Sequence, residues 1–267
     1  MRGARPVARA LLGIGVLAAL MTAVGCQPKA GASTAPAPSA VPRFADGLVR
    51  FDRAPGETGY WDGPSATTLV ESGAKVDLNA EGRLVSLADA ERVAPFQPWA
   101  LALYRYRQEN KFKDDPMHDC IGPGNPRQMH TAGGVRIIQD RNYKRAYVLF
   151  GGGNRTWRTI YLDGREPPNP DEVTATFLGL SVGHMEGDTL VAESIGFNTR
   201  FWMTNGGLPH TEALHLTERF TRRSHDVLEY EVTIDDPRTY TRKWKSAWTL
   251  RWVAGDIAEQ FCETGRQ

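Results

Sequence analysis

The sequence lacks the short signatures of the commonest enzyme classes. It contains no G-x-S-x-G nucleophile elbow, no phosphate-binding loop, no G-x-G-x-x-G dinucleotide fingerprint and no C-x-x-C-H haem attachment site. These absences argue against the usual hydrolases, kinases, dehydrogenases and cytochromes, and no cofactor is predicted. A large net charge of either sign is also missing, because the chain has 32 Lys and Arg residues and 31 Asp and Glu residues. We therefore expect no nucleic-acid surface.

Cysteine is scarce, with three residues in the whole chain: Cys26, Cys120 and Cys262. The last two predict a disulfide if the chain folds in an oxidising compartment. Closing a loop of that length would remove roughly 5 kcal/mol of chain entropy from the unfolded state. The alternative is a reactive thiol or a metal ligand, although the sequence has no C-x-x-C pair.

Acidic residues are missing from the first 25 positions, which instead have Arg2, Arg5 and Arg9 followed by an apolar run over Ala10–Val24. A run of about 15 residues is shorter than the ~20 that a membrane-spanning helix needs, and the pattern is typical of a secretory signal. The run ends in "AVGC", which looks like a bacterial lipobox in which Cys26 is acylated. The alternative is an ordinary signal peptide that is cut nearby.

The composition predicts three parts of the chain. Residues 1–25 form a lipoprotein signal peptide, and residues 26–43 form a tether rich in Ala, Pro and Ser that cannot bury a core. Residues 44–267 form a single β-rich domain, which is long enough to bury a full core. The predicted location is the bacterial cell envelope, on the periplasmic side of a membrane or at the cell surface. The lipid anchor is the only expected membrane contact.

One helix is predicted within the domain, at about residues 97–110. Pro98 suits a first helical position, and Trp99, Leu103 and Tyr106 recur at helical spacing. The preceding residues 44–85 mix Gly, Pro and short apolar pieces, which indicates irregular structure with one or two edge strands.

Downstream of Gly133 the hydrophobic period becomes two. Short segments rich in β-branched and aromatic residues alternate with turns, namely "VRIIQD", "RAYVLF", "WRTIYLDG", "ATFLGLSVGHMEGDTLVAESI", "EALHLTERFTRR", "DVLEYEVTIDDP" and "YTRKWKSAWTLRWVAG". "MEGDTL" and "YLDGREP" suit hairpin turns. The predicted fold class is therefore mainly β and antiparallel, a lipocalin-like barrel or a strongly curved sheet with one packed helix.

The last predicted strand gathers tryptophans on one face. Trp244, Trp248 and Trp252 share one parity of the alternation, and the other parity is mostly Lys, Thr and Arg. Indoles on one face of a strand are more often core than ligand platform. In a closed barrel, however, the core and the wall of a cavity can be the same surface.

The segment "GGLPHTEALHLTERFTRR" (residues 206–223) concentrates charge within a predicted strand. Its alternation places Glu218 on the same face as Leu216 and Phe220, while His215 and Arg219 lie on the other face. If the apolar face is buried, Glu218 needs a partner such as Arg158 or Arg165. An unpaired Glu218 would instead have a raised pKa and could act as a general acid or base.

The histidines of this segment leave three roles open. His210 and His215 are five residues apart, so "HTEALH" does not fit the zinc helix motif. His210 and Glu212 could still offer two metal ligands from a loop, but no metal site is predicted. A structural hydrogen-bonding role and acid–base chemistry are the other readings.

The longest irregular connection between the predicted strands is "GFNTRFWMTNGGLPH", residues 196–210. It has Asn198, Arg200, Trp202 and Asn205 as polar or aromatic candidates. Because loops of this length often have functional roles, we expect a site mouth formed by this loop, His210 and the tryptophan strand.

Five motifs resemble a widespread family of secreted bacterial proteins, abundant in acidobacteria and proteobacteria, for which no activity is established. They are "CIGPGNPR", "WRTIYLDGREPPNP", "GLSVGHMEGDTLVAESIGFN", "LPHTEALHLTERFTRR" and "YEVTIDDPRTYTRKW". The resemblance spans roughly Pro95–Glu263 and implies export and a β-rich body. The chain departs from the family at Met185, where Trp is usual, and at Lys243, where Pro is usual.

Three functions follow as hypotheses. The first is binding of a small apolar or aromatic molecule in a Trp-lined cavity, with ligand contacts from Arg158, Arg165, Asn198, Trp202, Arg219, Trp244, Trp248 and Trp252. The second is a hydrolase or lyase on the same barrel, with His210, His215 and Glu218 as catalytic residues. The third is an interaction module that uses an exposed sheet edge or the segment "TGYWDG" at residues 58–63.

Overall fold

Nine strands form a closed barrel in a computed structural model, which describes residues 40–64, 69–154 and 156–263. The strands are β1 Tyr60–Asp62, β2 Val135–Asp140, β3 Arg145–Phe150, β4 Trp157–Tyr161, β5 Leu180–Glu186, β6 Thr189–Ile195, β7 His215–Arg222, β8 Val227–Asp235 and β9 Trp244–Val253. Two α-helices, α1 Ala90–Val93 and α2 Pro98–Glu109, lie between β1 and β2. The predicted mainly β fold is confirmed, and the sheet closes on itself.

The strands follow one another around the barrel in chain order, and every neighbouring pair is antiparallel except β4 and β5, which are parallel. The three-residue strand β1 closes the ring, because Trp61 faces Val135 of β2 on one side and Trp252 of β9 on the other. The prediction of edge strands in residues 44–85 is therefore wrong for β1. The segment "TGYWDG" contains this strand, and Trp61 is fully buried.

The alternation predicted for the C-terminal strands is confirmed. Buried and exposed residues alternate along most of β9, with Trp244, Ser246, Trp248 and Leu250 inside the barrel. The same period places Leu216, Glu218 and Phe220 of β7 inside. One contiguous hydrophobic core results, which fills the interior with side chains from both halves of the barrel.

The predicted helix is confirmed as α2, which begins with Pro98 in its first turn. Its buried side is formed by Ala100, Tyr104 and Gln108, whereas Trp99 and Tyr106 are exposed. Gln108 explains this orientation, since its side chain donates to the Gly206 carbonyl at 2.7 Å and accepts from the Leu84 N–H at 2.9 Å. No helix within the described residues is long and apolar enough to cross a membrane.

Other segments cover the two ends of the barrel. At one end, the 196–210 loop buries Phe201, Trp202, Met203 and Leu208. At the other end, residues 49–52 bury Val49 and Phe51, and the Arg222 guanidinium donates to the carbonyls of Arg50 and Asp52. Aromatic and aliphatic side chains thus close both openings that a lipocalin-type ligand would use.

The N-terminal predictions fall mostly outside the described residues, which include neither the signal peptide 1–25 nor Cys26. The described end of the predicted tether packs on the barrel. Val41 lies against the core, and Arg43 forms an ion pair of 2.6 Å with Asp188 in the β5–β6 turn. The predicted disulfide joins Cys120 to Cys262 and attaches the C-terminal segment to the turn that follows α2.

The hairpin predicted at Tyr161–Pro167 does not form, although the hairpin at "MEGDTL" joins β5 to β6 as expected. Residues 162–179 instead return along the outside of the barrel so that β5 runs parallel to β4. Asp163 and Gly164 still make a turn, with a φ of 82° at Gly164 that favours glycine. Turn chemistry alone therefore predicted the local turn correctly, but not the parallel direction in which β5 pairs with β4.

Candidate functional site

A cavity of about 1060 Å³ opens where β4 and β5 diverge, and we call it the seam cavity. Its walls come from three segments: Gly122–Gly124, Asn154–Tyr161 without the undescribed residue 155, and Pro168–Leu180 in part. The lining is Gly122, Pro123, Gly124, Asn154, Thr156, Trp157, Arg158, Thr159, Tyr161, Pro168, Glu172, Val173, Thr174, Thr176, Phe177, Leu178, Gly179 and Leu180. This volume is at the upper end of the range for small-molecule sites.

The cavity exists because β4 and β5 pair with each other over very few residues. Only Ile160 and Tyr161 of β4 pair with β5, opposite Ser181 and Val182. The opposite wall is held by other partners: Phe177 accepts from the Asn125 N–H at 3.1 Å, and the Thr176 N–H donates to Gly196 at 3.0 Å. Since these bonds hold residues 176–177 away from β4, a gap stays open beside Trp157.

Aromatic side chains supply much of the cavity surface. Trp157 is 60% exposed, and its ring packs edge-on to Tyr147 at a centroid distance of 6.0 Å. The Tyr161 ring lies 4.0 Å below the Arg165 guanidinium. Phe177 lies on the opposite wall, with half-buried Val173 and Leu178 on the same segment. A large indole exposed within a concave apolar surface is typical of a ligand contact.

The inner wall of the cavity includes Arg158, which belongs to a buried polar network. Its guanidinium donates to both carboxylate oxygens of Glu218, at 2.6 and 2.8 Å. The same carboxylate accepts from the Tyr230 hydroxyl at 2.7 Å and from the Asn125 amide at 3.0 Å. The prediction that Glu218 is buried and paired with an arginine is confirmed, with Arg158 as the partner.

The charges of this network are fixed by its contacts. Burial by itself lowers the pKa of Arg158, but the Glu218 carboxylate outweighs burial and raises that pKa above its usual value. Burial, aided by the Glu218 charge, also raises the pKa of Tyr230 far above its usual range. Arg158 therefore stays charged and Tyr230 stays protonated. Glu218 is engaged as an acceptor from several donors and has no free oxygen for acid–base chemistry.

The three indoles of β9 do not line the seam cavity, so this is not the Trp-lined cavity expected from the sequence. Trp244 and Trp248 lie in the hydrophobic core, and Trp248 also borders two smaller cavities. Trp244 packs against Tyr240 at 5.3 Å, and Trp248 against Tyr230 at 4.6 Å. Trp252 packs edge-on to Trp61 at 4.9 Å. These indoles lie on one face of β9, as the alternation predicted, but there they pack against other aromatic rings inside the barrel.

The predicted site mouth at the 196–210 loop is packed rather than open. Trp202 is buried beneath the Arg107 guanidinium at 4.3 Å. The two ring nitrogens of His210 face the backbone carbonyls of Phe201 and Thr211, at 3.1 and 3.2 Å. Burial lowers the pKa of His210 although both carbonyls raise it, so the ring is neutral and donates to one carbonyl at a time, which is a structural role.

The outward-facing candidates of β7 contact surface carboxylates away from the cavity. His215 lies 3.3 Å from a Glu193 oxygen, and Arg219 donates to Glu186 at 2.8 Å. His210, His215 and Glu218 therefore take part in three separate sets of contacts. In the described part of the chain, no group of three or more His, Cys, Asp or Glu side chains is arranged to hold a metal ion.

Three of the predicted ligand contacts do lie at or beside the seam cavity. Arg158 lines it, Arg165 covers Tyr161, and the Asn198 N–H donates to Thr176 at 2.9 Å. Sequence reasoning missed Trp157 and Phe177, which provide most of the aromatic surface. Trp157 begins the strand "WRTIY" on the parity opposite to buried Arg158 and Ile160. The sequence did contain one signal for this site, which was an outward-facing Trp next to a Pro-rich connection.

Comparisons of this chain with protein families, with curated proteins and with solved structures give no match.

Proposed function

We propose that this protein binds a small, largely apolar molecule in the seam cavity. The observation that carries the proposal is the exposed indole of Trp157 inside a cavity of about 1060 Å³. Monomeric proteins rarely leave large aromatic rings exposed within concave apolar surfaces unless a ligand covers them. The binding hypothesis from the sequence is retained, and its site moves from the barrel interior to the barrel wall.

The cavity favours a neutral ligand. Two charged residues line it: Arg158, whose charge Glu218 already neutralises at 2.6 Å, and Glu172, which is exposed to solvent. A ligand carboxylate would lose hydration without gaining an unpaired counter-ion, and a solvent-exposed carboxylate offers a ligand ammonium little net gain. The aromatic rings Trp157, Tyr161 and Phe177 suit a flat or aliphatic group that stacks between the walls.

The proposal includes retention at the cell envelope through an acylated Cys26, as the lipobox-like "AVGC" predicts. A lipid-anchored binding protein would collect its ligand at the membrane surface. Mass spectrometry of the mature protein, with a Cys26→Ala variant as control, tests this part separately. A mature chain that lacks an acyl group at Cys26 would contradict it.

The binding test uses a neutral apolar fluorescent probe, N-phenyl-1-naphthylamine, together with native mass spectrometry of gently purified protein. Thr159 lines the cavity and is half-buried, so Thr159→Trp should fill the space and weaken probe binding at least tenfold. Thr217→Trp is the matched control, because Thr217 is a half-buried threonine on the outer face of β7, away from the cavity lining. Native spectra should show a retained small molecule in the control and none in Thr159→Trp. Equal probe binding by both variants would refute the site.

Neither alternative function is favoured by a specific contact. The proposed catalytic residues are each engaged elsewhere, and each of the nine described strands pairs with two neighbours, so no whole strand is left as an exposed sheet edge.

A further inference from the structure

The pairing of β4 with β3 determines which backbone N–H and C=O groups of β4 point toward β3 and which point away from it. The Phe150 N–H donates to the Thr156 carbonyl at 2.9 Å, and the Leu162 N–H donates to the Lys144 carbonyl at 2.8 Å. In an antiparallel ladder, hydrogen-bonded pairs alternate with non-hydrogen-bonded pairs. The register Val148↔Arg158 and Leu149↔Trp157 therefore makes Trp157 a non-hydrogen-bonded position toward β3.

It follows that the N–H and C=O of Trp157 point away from β3, toward the seam cavity. The pairing of β5 with β4 is limited to Ile160 and Tyr161, so β5 gives Trp157 no strand partner. The opposite wall is tied to Asn125 and Gly196 and does not approach. Within the described residues, β4 thus has a short open edge in an otherwise closed barrel.

This open edge limits which ligand the cavity can hold. A purely apolar molecule seated beside Trp157 would remove water from both peptide groups without replacing its hydrogen bonds. Leaving a buried donor or acceptor unpaired lowers affinity by about fivefold or more per group. A ligand with its own N–H and C=O at the spacing of an extended residue avoids that cost.

We infer that the seam cavity takes a short peptide segment in extended conformation, one residue of which exchanges two hydrogen bonds with Trp157. The inference rests on the proposed function and names its ligand class. The peptide lies as an added strand in the gap between β4 and residues 176–180, and its apolar side chain packs among the rings of Trp157 and Phe177. One peptide residue suffices. In a hydrogen-bonded antiparallel pair, the N–H and C=O of one residue bond to the C=O and N–H of one residue on the other strand.

The test compares two probes that differ by one donor. N-acetyl-phenylalanine methylamide has the required N–H, and its depsipeptide analogue has an ester oxygen in that position. We expect the amide to bind the wild-type protein about 3- to 10-fold more tightly by titration calorimetry. The Trp157→Ala variant should weaken both probes and keep the amide-to-ester ratio, since its backbone is unchanged.

The variant Trp157→Pro tests the other bond. Proline removes the N–H that faces the cavity but no bond of the β3–β4 ladder, and proline is tolerated as the first residue of a strand. Both probes should bind Trp157→Pro about 3- to 10-fold more weakly than Trp157→Ala, the matched variant that also lacks the indole.

The outcomes separate the two proposals. Equal affinity for amide and ester overturns the peptide inference, even if N-phenyl-1-naphthylamine still binds and the cavity remains a ligand site. Failure of all three probes to bind overturns the proposed function as well. If Trp157→Pro does not fold, the amide-to-ester ratio on the wild-type protein still decides.

Discussion

Removing the Glu218 carboxylate should strongly destabilise the protein, because the buried Arg158 guanidinium would lose its counter-ion. In Glu218→Leu, the two hydrogen bonds of 2.6 and 2.8 Å are lost and Arg158 remains almost fully buried. Breaking a buried pair from one side costs about 3–5 kcal/mol. The Tyr230 hydroxyl and the Asn125 amide also lose an acceptor, at 2.7 and 3.0 Å. We expect a loss of at least about 4 kcal/mol in the free energy of unfolding.

For a domain of this size, that loss lowers the melting temperature by about 10 °C or more. Urea unfolding followed by tryptophan fluorescence measures the free energy directly. The double variant Arg158→Met/Glu218→Leu is the matched control, because it removes both charges and leaves an apolar pair of similar volume. It should be more stable than Glu218→Leu alone. A single variant within about 1 kcal/mol of wild type, or a double variant that is less stable than the single one, would refute the view that the pair is a mutually dependent structural unit.

Two further predictions concern the covalent framework and acid stability. Replacing both Cys120 and Cys262 by Ala should lower the unfolding free energy by up to about 5 kcal/mol relative to the oxidised, disulfide-bonded wild type, since the bond spans 142 residues. Urea unfolding measures the difference, and a loss of less than about 1 kcal/mol would contradict this. Burial, with a smaller effect from Arg127, lowers the pKa of His130 to about 3. Because the unfolded imidazole binds a proton near pH 6.5, stability should be fully present above that pH and decline as the pH falls toward 3. His130→Phe should flatten this decline in melting temperature between pH 7 and 4, and an unchanged slope would exclude His130 as its source.

Period-two patterns made most of the barrel predictable from sequence. In the segments later found as β3, β7, β8 and most of β9, buried residues alternate with more exposed ones, so one parity had to face the core. That parity put Glu218 inside, where the sequence left open either a partner such as Arg158 or Arg165 or an unpaired carboxyl, and Arg158 is the partner found. The helix was predictable for a different reason: Pro98 fits its first turn and the hydrophobic period changes there.

The site was less predictable because it depends on contacts between distant segments. A three-residue strand such as Tyr60–Asp62 has no measurable period, and only its pairing with both β2 and β9 reveals that it closes the barrel. The 196–210 loop has the length of a functional loop, but its content of Phe201, Trp202, Met203 and Leu208 is that of a core segment. The seam cavity requires β4 and β5 to be parallel with two paired residues each, and no local pattern specifies that register.

The position of β1 has a consequence for how the chain can be shortened or assembled. Strand β1 pairs with β2 and with β9, which is the last strand of the chain. The barrel therefore cannot close before Trp244–Val253 has been synthesised. Any fragment that ends before β9 would leave two unsatisfied strand edges flanked by apolar side chains, a combination that promotes self-association. Truncated versions should accumulate as aggregates, and the native protein should fold slowly for its size because its first and last strands must meet.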